Sequence, residues 1–136
     1  MQAHARMEKD FDRWNTEKKR LNRSEDRLYF REGEVWWVAL GVNVGFEMDG
    51  KRSDFSRPVL VLKKYNQYSF LALPLTTNAR DNPYRIPLGL IDGKEAFAVL
   101  SQLRNIDSVR LINKVAVVDT QALAFIRKAV SEANLN

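Results

Sequence analysis

From Glu34 onward the chain alternates short apolar runs with turn residues: EVWWVAL (34–40), RPVLVLKK (57–64), YSFLALPL (68–75), YRIPLGL (84–90), EAFAVLSQL (95–103) and KVAVV (114–118). Runs of this length, rich in β-branched and aromatic residues and bounded by Gly, Asn and Asp, predict the strands of an all-β barrel or sandwich. Asn66-Gln67 and Asp92-Gly93 mark hairpin turns, the second being a favoured primed-turn pair, and the order of the runs predicts a meander. Pro87 has no ladder N–H to give, so its strand is expected at a sheet edge or to carry a bulge. Residues 1–24 show a different period: Met7, Phe11, Trp14 and Leu21 form a thin helical stripe in a charged stretch without Gly or Pro. A helix with so few apolar positions depends on packing against the barrel or a partner. At the other end, Asp119 or Thr120 can cap a helix whose positions Ala122, Leu123, Phe125, Ile126, Ala129 and Val130 face the barrel, with Arg127 and Lys128 near its end.

The pattern divides the chain into a helical arm, residues 1–31, and a barrel domain with its terminal helix, residues 32–136. Between the first two runs lies GVNVGFEMDGKRSDFS (41–56), which has three glycines and no period and is too long for a simple hairpin. Such a loop in a small domain is expected to serve function, here as a mobile lid.

Composition narrows the setting. With 45% hydrophobic and 29% charged residues among 136, one folded core is expected. No apolar run reaches the roughly 18–20 residues that span a bilayer, the N-terminus has no apolar signal segment, and cysteine is absent. A cytoplasmic location without membrane attachment is the expectation. The net charge of +5 favours acidic partners. Nine Lys/Arg against six Asp/Glu in residues 1–31, and thirteen against eleven in the rest, place +3 of it in the arm and +2 in the barrel.

The inventory also removes whole reaction schemes. His4 is the single histidine, so two-histidine acid/base cleavage, a Ser-His-Asp triad and a multi-histidine zinc site are excluded. Neither a GxxxxGK[ST] loop nor a GxGxxG fingerprint occurs. If the chain is an enzyme, catalysis must fall to Arg, Lys, Glu, Asp, Thr, Ser or Tyr. Trp36 and Trp37, adjacent on a strand, point opposite ways, one to the core and one to a dimer or base-stacking surface. Gln102 and Arg104 are expected to share a strand face, and Asp107 to cap a short helical turn.

Three segments in this order, GFEMDGKRSDFSRPVLVL, LPLTT and LSQLRNIDSVRL, resemble the MazF/PemK toxins. In that family a Gly-rich loop follows the first strand, Arg-Pro opens the second, Thr follows the third and a DQ(I/V)RxID-like segment follows the fifth. The resemblance spans about Gly33 to Lys114 and implies a mainly β, SH3-like barrel of the CcdB/MazF/PemK type, here with an added N-terminal helix and a C-terminal helix. It implies a homodimeric endoribonuclease that cuts single-stranded RNA, including mRNA, with neither metal nor cofactor. The RNA's 2′-hydroxyl is the nucleophile, and the products are a 2′,3′-cyclic phosphate and a 5′-hydroxyl. It also implies a cognate antitoxin partner, with which such toxins bind DNA.

By the same resemblance the catalytic arginine is Arg57, the catalytic threonine Thr76 and the loop glutamate Glu47. Apart from the resemblance, the residues' own charge, polarity and position make Lys51, Arg52, Thr77, Arg80, Arg85, Gln102 and Arg104 the expected RNA contacts. Two departures stand out. Ser101 replaces the usual Asp before the Gln, and RSDFS lengthens the loop before Arg57-Pro58, which is expected either to bring Lys51, Arg52 and Asp54 to the site or to move its lid.

The chemistry of the residues fits those roles. Attack at phosphorus builds charge on the non-bridging oxygens, and a guanidinium can hold two of them in a fork while staying cationic. Arg57 therefore suits electrostatic stabilisation or proton donation, and Thr76 suits holding a phosphate oxygen. Read alone, Arg57 is a surface arginine opening a strand, Thr76 and Thr77 a polar strand end, and Glu47 a solvated loop charge. A noncatalytic nucleic-acid- or protein-binding barrel, or a gyrase-directed toxin of the related barrel class, stays open as an alternative.

Overall fold

The computed structural model describes residues 8–43, 48–50, 55–78 and 82–136. Helix α1 (Phe11–Arg23) starts at Asp10, whose carboxylate accepts the Arg13 amide at 3.1 Å. Seven strands follow among the described residues: β1 (Glu34–Ala39), β2 (Ser56–Lys64), β3 (Ser69–Thr76), β4 (Arg85–Ile91), β5 (Lys94–Val99), β6 (Arg104–Asp107) and β7 (Leu111–Val117). Helix α2 (Thr120–Leu135) ends the chain, with Asp119 accepting the Ala122 amide at 2.8 Å.

All pairings are antiparallel, and the curled sheet runs β4-β5-β3-β2-β1-β7, with β6 also on β3. This corrects the simple meander. β1, β2 and β3 do meander, but β5 rather than β4 lies against β3, and β7 crosses to the far side of β1. Proline chemistry accounts for the first reversal. Pro87 makes β4 unfit for an inner position, and β4 takes the edge with a register shift between Pro87 and Gly89, so edge and bulge occur together. The β4–β5 turn has the conformation its residues favour, with φ of 52° at Asp92 and 78° at Gly93. The run 95–103 is not one strand. It breaks after Val99 into a 3₁₀ turn, Leu100–Gln102, and pairing with β3 resumes in β6, so two short strands share one edge of β3. The missed strand β6 ends at Asp107, which caps the next 3₁₀ turn through the Val109 amide at 2.9 Å.

The central strands β1, β2 and β3 are buried on both faces, which is why β2 reads VLVL without alternation. Trp36, Val38, Val59, Val61 and Phe70 pack on one side with Phe30, a residue of the segment joining α1 to β1. Val35, Leu60, Leu62, Leu73 and Leu75 pack on the other with Leu123, Ile126 and Val130 of α2. The remaining expectations for α2 need adjusting. Phe125 is exposed, and the helix continues to Leu135, so Arg127 lies mid-helix and donates to the Leu62 carbonyl at 2.8 Å. Helix α1 buries Trp14 and Leu21 against Ala39 and Phe55, while Phe11 stays half exposed and Met7 lies outside the described residues. No helix among the described residues is long and apolar enough to cross a membrane.

Buried Glu34 ties the entry of β1 together. Its Oε1 accepts the Arg31 amide at 2.7 Å and Trp36 Nε1 at 3.0 Å, and its Oε2 faces Lys114 Nζ at 3.3 Å. Burial alone raises this carboxyl, but those donors outweigh it and hold it below its ordinary value near 4.5. Glu32 is also lowered, chiefly by the Lys64 amide with help from Arg127, as is Asp107, where the Val109 amide and Arg27 overcome burial. A carboxyl depressed in the fold contributes stability that is fully present above its unfolded pKa and lost as pH falls through its folded one. Stability is therefore expected to be level near neutrality and to fall below about pH 4.5. Denaturant titrations across pH check this, with Glu34→Gln giving a shallower acid limb than the parent; equal limbs count against the role of Glu34.

Candidate active site

Antiparallel pairing that sets Val59 opposite Pro74 brings the start of β2 beside the end of β3. The β4–β5 turn closes in from one side, and β1 and β7 supply Trp37 and Val115. The result is a cleft of about 260 Å³ lined by Trp37, Arg57, Pro58, Leu75, Thr76, Thr77, Asp92, Lys94 and Val115, among others. Of the tryptophan pair, Trp36 is in the core and Trp37 is the half-buried cleft residue, as the strand geometry requires.

Arg57 is not the surface arginine that the sequence suggests: it is 4% exposed. The strand that carries it is covered on both sides, and its side chain is spent on fixed partners. Nε donates to the Asp49 carbonyl at 2.5 Å and Nη1 to the Leu75 carbonyl at 3.0 Å. Both acceptors are neutral, and no carboxylate forms an ion pair with the guanidinium among the described residues. Burial lowers its pKa; the Asp49 charge opposes that and the Arg85 charge reinforces it. An Arg retains its proton far above neutrality. The cleft thus borders an oriented cation that has no direct anionic partner among the described residues.

Thr76 is buried at the end of β3, and its Oγ accepts the Asn78 amide at 3.2 Å, which leaves the hydroxyl proton for a ligand. Thr77 is exposed at the rim. Arg85 donates to the Asn78 carbonyl at 2.5 Å and sits close enough for its charge to act on Arg57. Arg104 opens β6 opposite Ala72, and its charge, after burial, helps lower the pKa of Arg110. Gln102 and Arg104 do not share a strand face, because Gln102 lies in the 3₁₀ turn that interrupts the run. Gln102 Oε1 instead accepts the Met48 amide at 3.1 Å and so anchors the loop that carries Asp49. Glu47, Lys51, Arg52, Asp54 and Arg80, like His4, lie outside the described residues.

Three contributors escape a sequence reading. Asp92 and Lys94 signal only a tight turn, and Asp49 only a loop charge, because their place at the site depends on pairing between distant strands. No group of three or more His, Cys, Asp or Glu side chains converges among the described residues.

The chain thus combines a small curled antiparallel sheet and a terminal helix with a buried arginine at its cleft. A family model for PemK-like, MazF-like toxins of type II toxin-antitoxin systems matches residues 31–133, and the chain belongs to that family. It is similar to MazF from Deinococcus radiodurans, with 25% identity and a TM-score of 0.65 over 78% of this chain and 97% of that one. MazF in the MazE-MazF assembly of the same organism gives 21% identity and a TM-score of 0.59, over 78% and 96%. An endoribonuclease of a mycobacterial species, in complex with its cognate antitoxin, gives 16% and 0.56 over 77% and 94%. No curated protein sequence matches the chain.

Proposed function

We propose that this toxin is a metal-independent endoribonuclease that cuts single-stranded RNA and is held inactive by a cognate antitoxin. The observation that carries the reading is the buried Arg57 guanidinium, fixed by two carbonyls at the wall of an open cleft beside the Thr76 hydroxyl. A desolvated cation held by neutral carbonyls, with no anionic partner among the described residues, favours a group that brings negative charge, and a phosphodiester supplies it.

In this scheme the 2′-oxygen attacks phosphorus and loses its proton. The bond to the 5′-oxygen breaks, that oxygen takes up a proton, and a 2′,3′-cyclic phosphate and a 5′-hydroxyl result. Arg57 meets the charge that develops on the non-bridging oxygens, using N–H groups not committed to Asp49 and Leu75. Thr76 donates to one phosphate oxygen, and Glu47 serves as the third catalytic group. Lys51, Arg52, Thr77, Arg80, Arg85, Gln102 and Arg104 hold the flanking RNA, with Lys94 and Trp37 of the cleft beside them. The working form is a cytoplasmic homodimer, which doubles the surface available to RNA.

Incubating the protein with a long single-stranded RNA in EDTA tests the reading. Discrete cuts that a cognate antitoxin suppresses are expected. Intact RNA, with or without added divalent cations, favours the noncatalytic or gyrase-directed alternatives.

A further inference from the structure

The loop that holds Arg57 is itself held by the N-terminal arm, which precedes the family-matched region 31–133. Two contacts do this. First, the Trp14 ring lies so close to Gly41 that a Cβ there would stand 2.0 Å from it, and Gly41 has a φ of +81°, so both space and conformation require glycine. The same ring packs on Phe55 at 5.5 Å between centroids, and Arg13 lies over the Phe55 ring at 4.8 Å. Phe55 has a φ of +60°, sparsely populated for an aromatic residue, and its carbonyl accepts the Leu40 and Gly41 amides at 2.9 Å each. The two ends of the loop are thereby pinned to each other, the second of them two residues before Arg57.

Second, Lys9 Nζ donates to the Asn43 carbonyl and pairs with Asp49 at 2.9 Å to Oδ2 and 3.2 Å to Oδ1. Asp49 Oδ1 accepts the Asn43 amide at 2.6 Å, and the Gly50 amide closes on the Gly41 carbonyl at 2.6 Å. The backbone carbonyl of this same Asp49 takes the Arg57 Nε–H, and its charge opposes the lowering of the Arg57 pKa. Lys9 and Asp49 are each about one-quarter exposed, and their pairing is locked to backbone groups on both sides. That distinguishes it from an isolated surface ion pair, which has little effect.

We infer that α1 and the residues leading into it form a built-in clamp on the β1–β2 loop, with Lys9 a positioning residue that orients Arg57 through Asp49. The catalytic consequence rests on the RNA-cleaving function proposed above, whereas the structural consequence does not. Without Lys9, the Asp49 carboxylate keeps only the Asn43 amide among the described residues, residue 49 gains freedom, and Arg57 loses its fixed Nε acceptor for part of the time.

The test compares the full chain with Lys9→Met, Lys9→Arg and Asp49→Asn, using NMR to follow solvent exchange of the Arg57 Nε–H and of the Asn43 and Gly50 amides. In Lys9→Met, exchange at all three sites is expected to quicken about tenfold with an unchanged melting temperature. Asp49→Asn reproduces the effect because it removes the charge that Lys9 grips, and Lys9→Arg returns exchange close to the parent. On RNA, Lys9→Met is expected to lower kcat about tenfold with KM within about twofold, since Lys9 acts through Arg57 and not on the substrate. Unchanged Arg57 Nε–H exchange in Lys9→Met overturns the clamp, as does failure of Lys9→Arg to restore it. Faster exchange with an unaltered kcat overturns the positioning role. Should the parent leave RNA intact, the proposed function fails, and the Nε–H measurement still decides the clamp.

Discussion

Exchanging Arg57 for lysine is expected to lower RNA cleavage by about a hundred- to a thousandfold, although a cation remains in place. The guanidinium spends two N–H groups on the Asp49 and Leu75 carbonyls and still has donors in a fixed plane for the phosphate. An ammonium group has three donors on a flexible stem and cannot hold both carbonyls and fork onto two phosphate oxygens. Arg57→Ala is expected to abolish measurable cleavage and, because the side chain is 4% exposed, to cost stability as well. It leaves two carbonyls short of donors, a loss of about 1–3 kcal/mol after relief of the desolvated charge. This differs from the neutral change that a surface arginine implies. Single-turnover cleavage of a fixed RNA, beside denaturant unfolding of each variant, checks both parts. A folded Arg57→Lys protein that cuts at the parental rate removes Arg57 from the mechanism.

How much of this was legible in the sequence depended on whether a feature is local. The Asp92-Gly93 turn, the Asp119 and Asp107 caps and the edge position of the Pro87 strand follow from the chemistry of one or two residues, and the structure has them all. The place of β5 and the crossing of β7 to β1 depend on which strand can accept an inner position, a competition that no single run records. β6 escaped because four residues after a 3₁₀ turn show no period. At the site, Arg57 and Thr76 stand out in the sequence as ordered motif residues, and the structure places both on one cleft. The burial of Arg57 was not legible, since arginine is ordinarily exposed and only the two-sided covering of β2 hides this one. Gln102 illustrates the same limit: the motif marks it as a residue of interest, and only the turn geometry turns it toward the Met48 amide.

The second large effect concerns the arm. Trp14→Ala is expected to lower stability by about 3–5 kcal/mol, the range for removing a buried large aromatic side chain. The loss is bounded by the docking energy of α1, because a helix of 13 residues is marginal by itself and can leave the sheet once its anchor is gone. Circular dichroism should then show loss of helix at low denaturant, before the sheet unfolds, and the Gly41 amide should lose protection. The carbonyl that the Gly41 amide meets belongs to Phe55, which Trp14 supports. A single transition at the parental midpoint would mean that α1 contributes nothing to the loop it covers.

The central claim, that this cleft uses the RNA's own 2′-hydroxyl to break the chain, is tested most directly on an oligoribonucleotide carrying one mapped cut site. The native oligonucleotide, incubated in EDTA, is expected to give a 2′,3′-cyclic phosphate on the upstream fragment and a 5′-hydroxyl on the downstream one. The same oligonucleotide with a single 2′-deoxy substitution at the cut nucleotide should bind with similar affinity and stay intact. Cleavage of the deoxy-substituted strand, or products ending in a 5′-phosphate, would contradict the account.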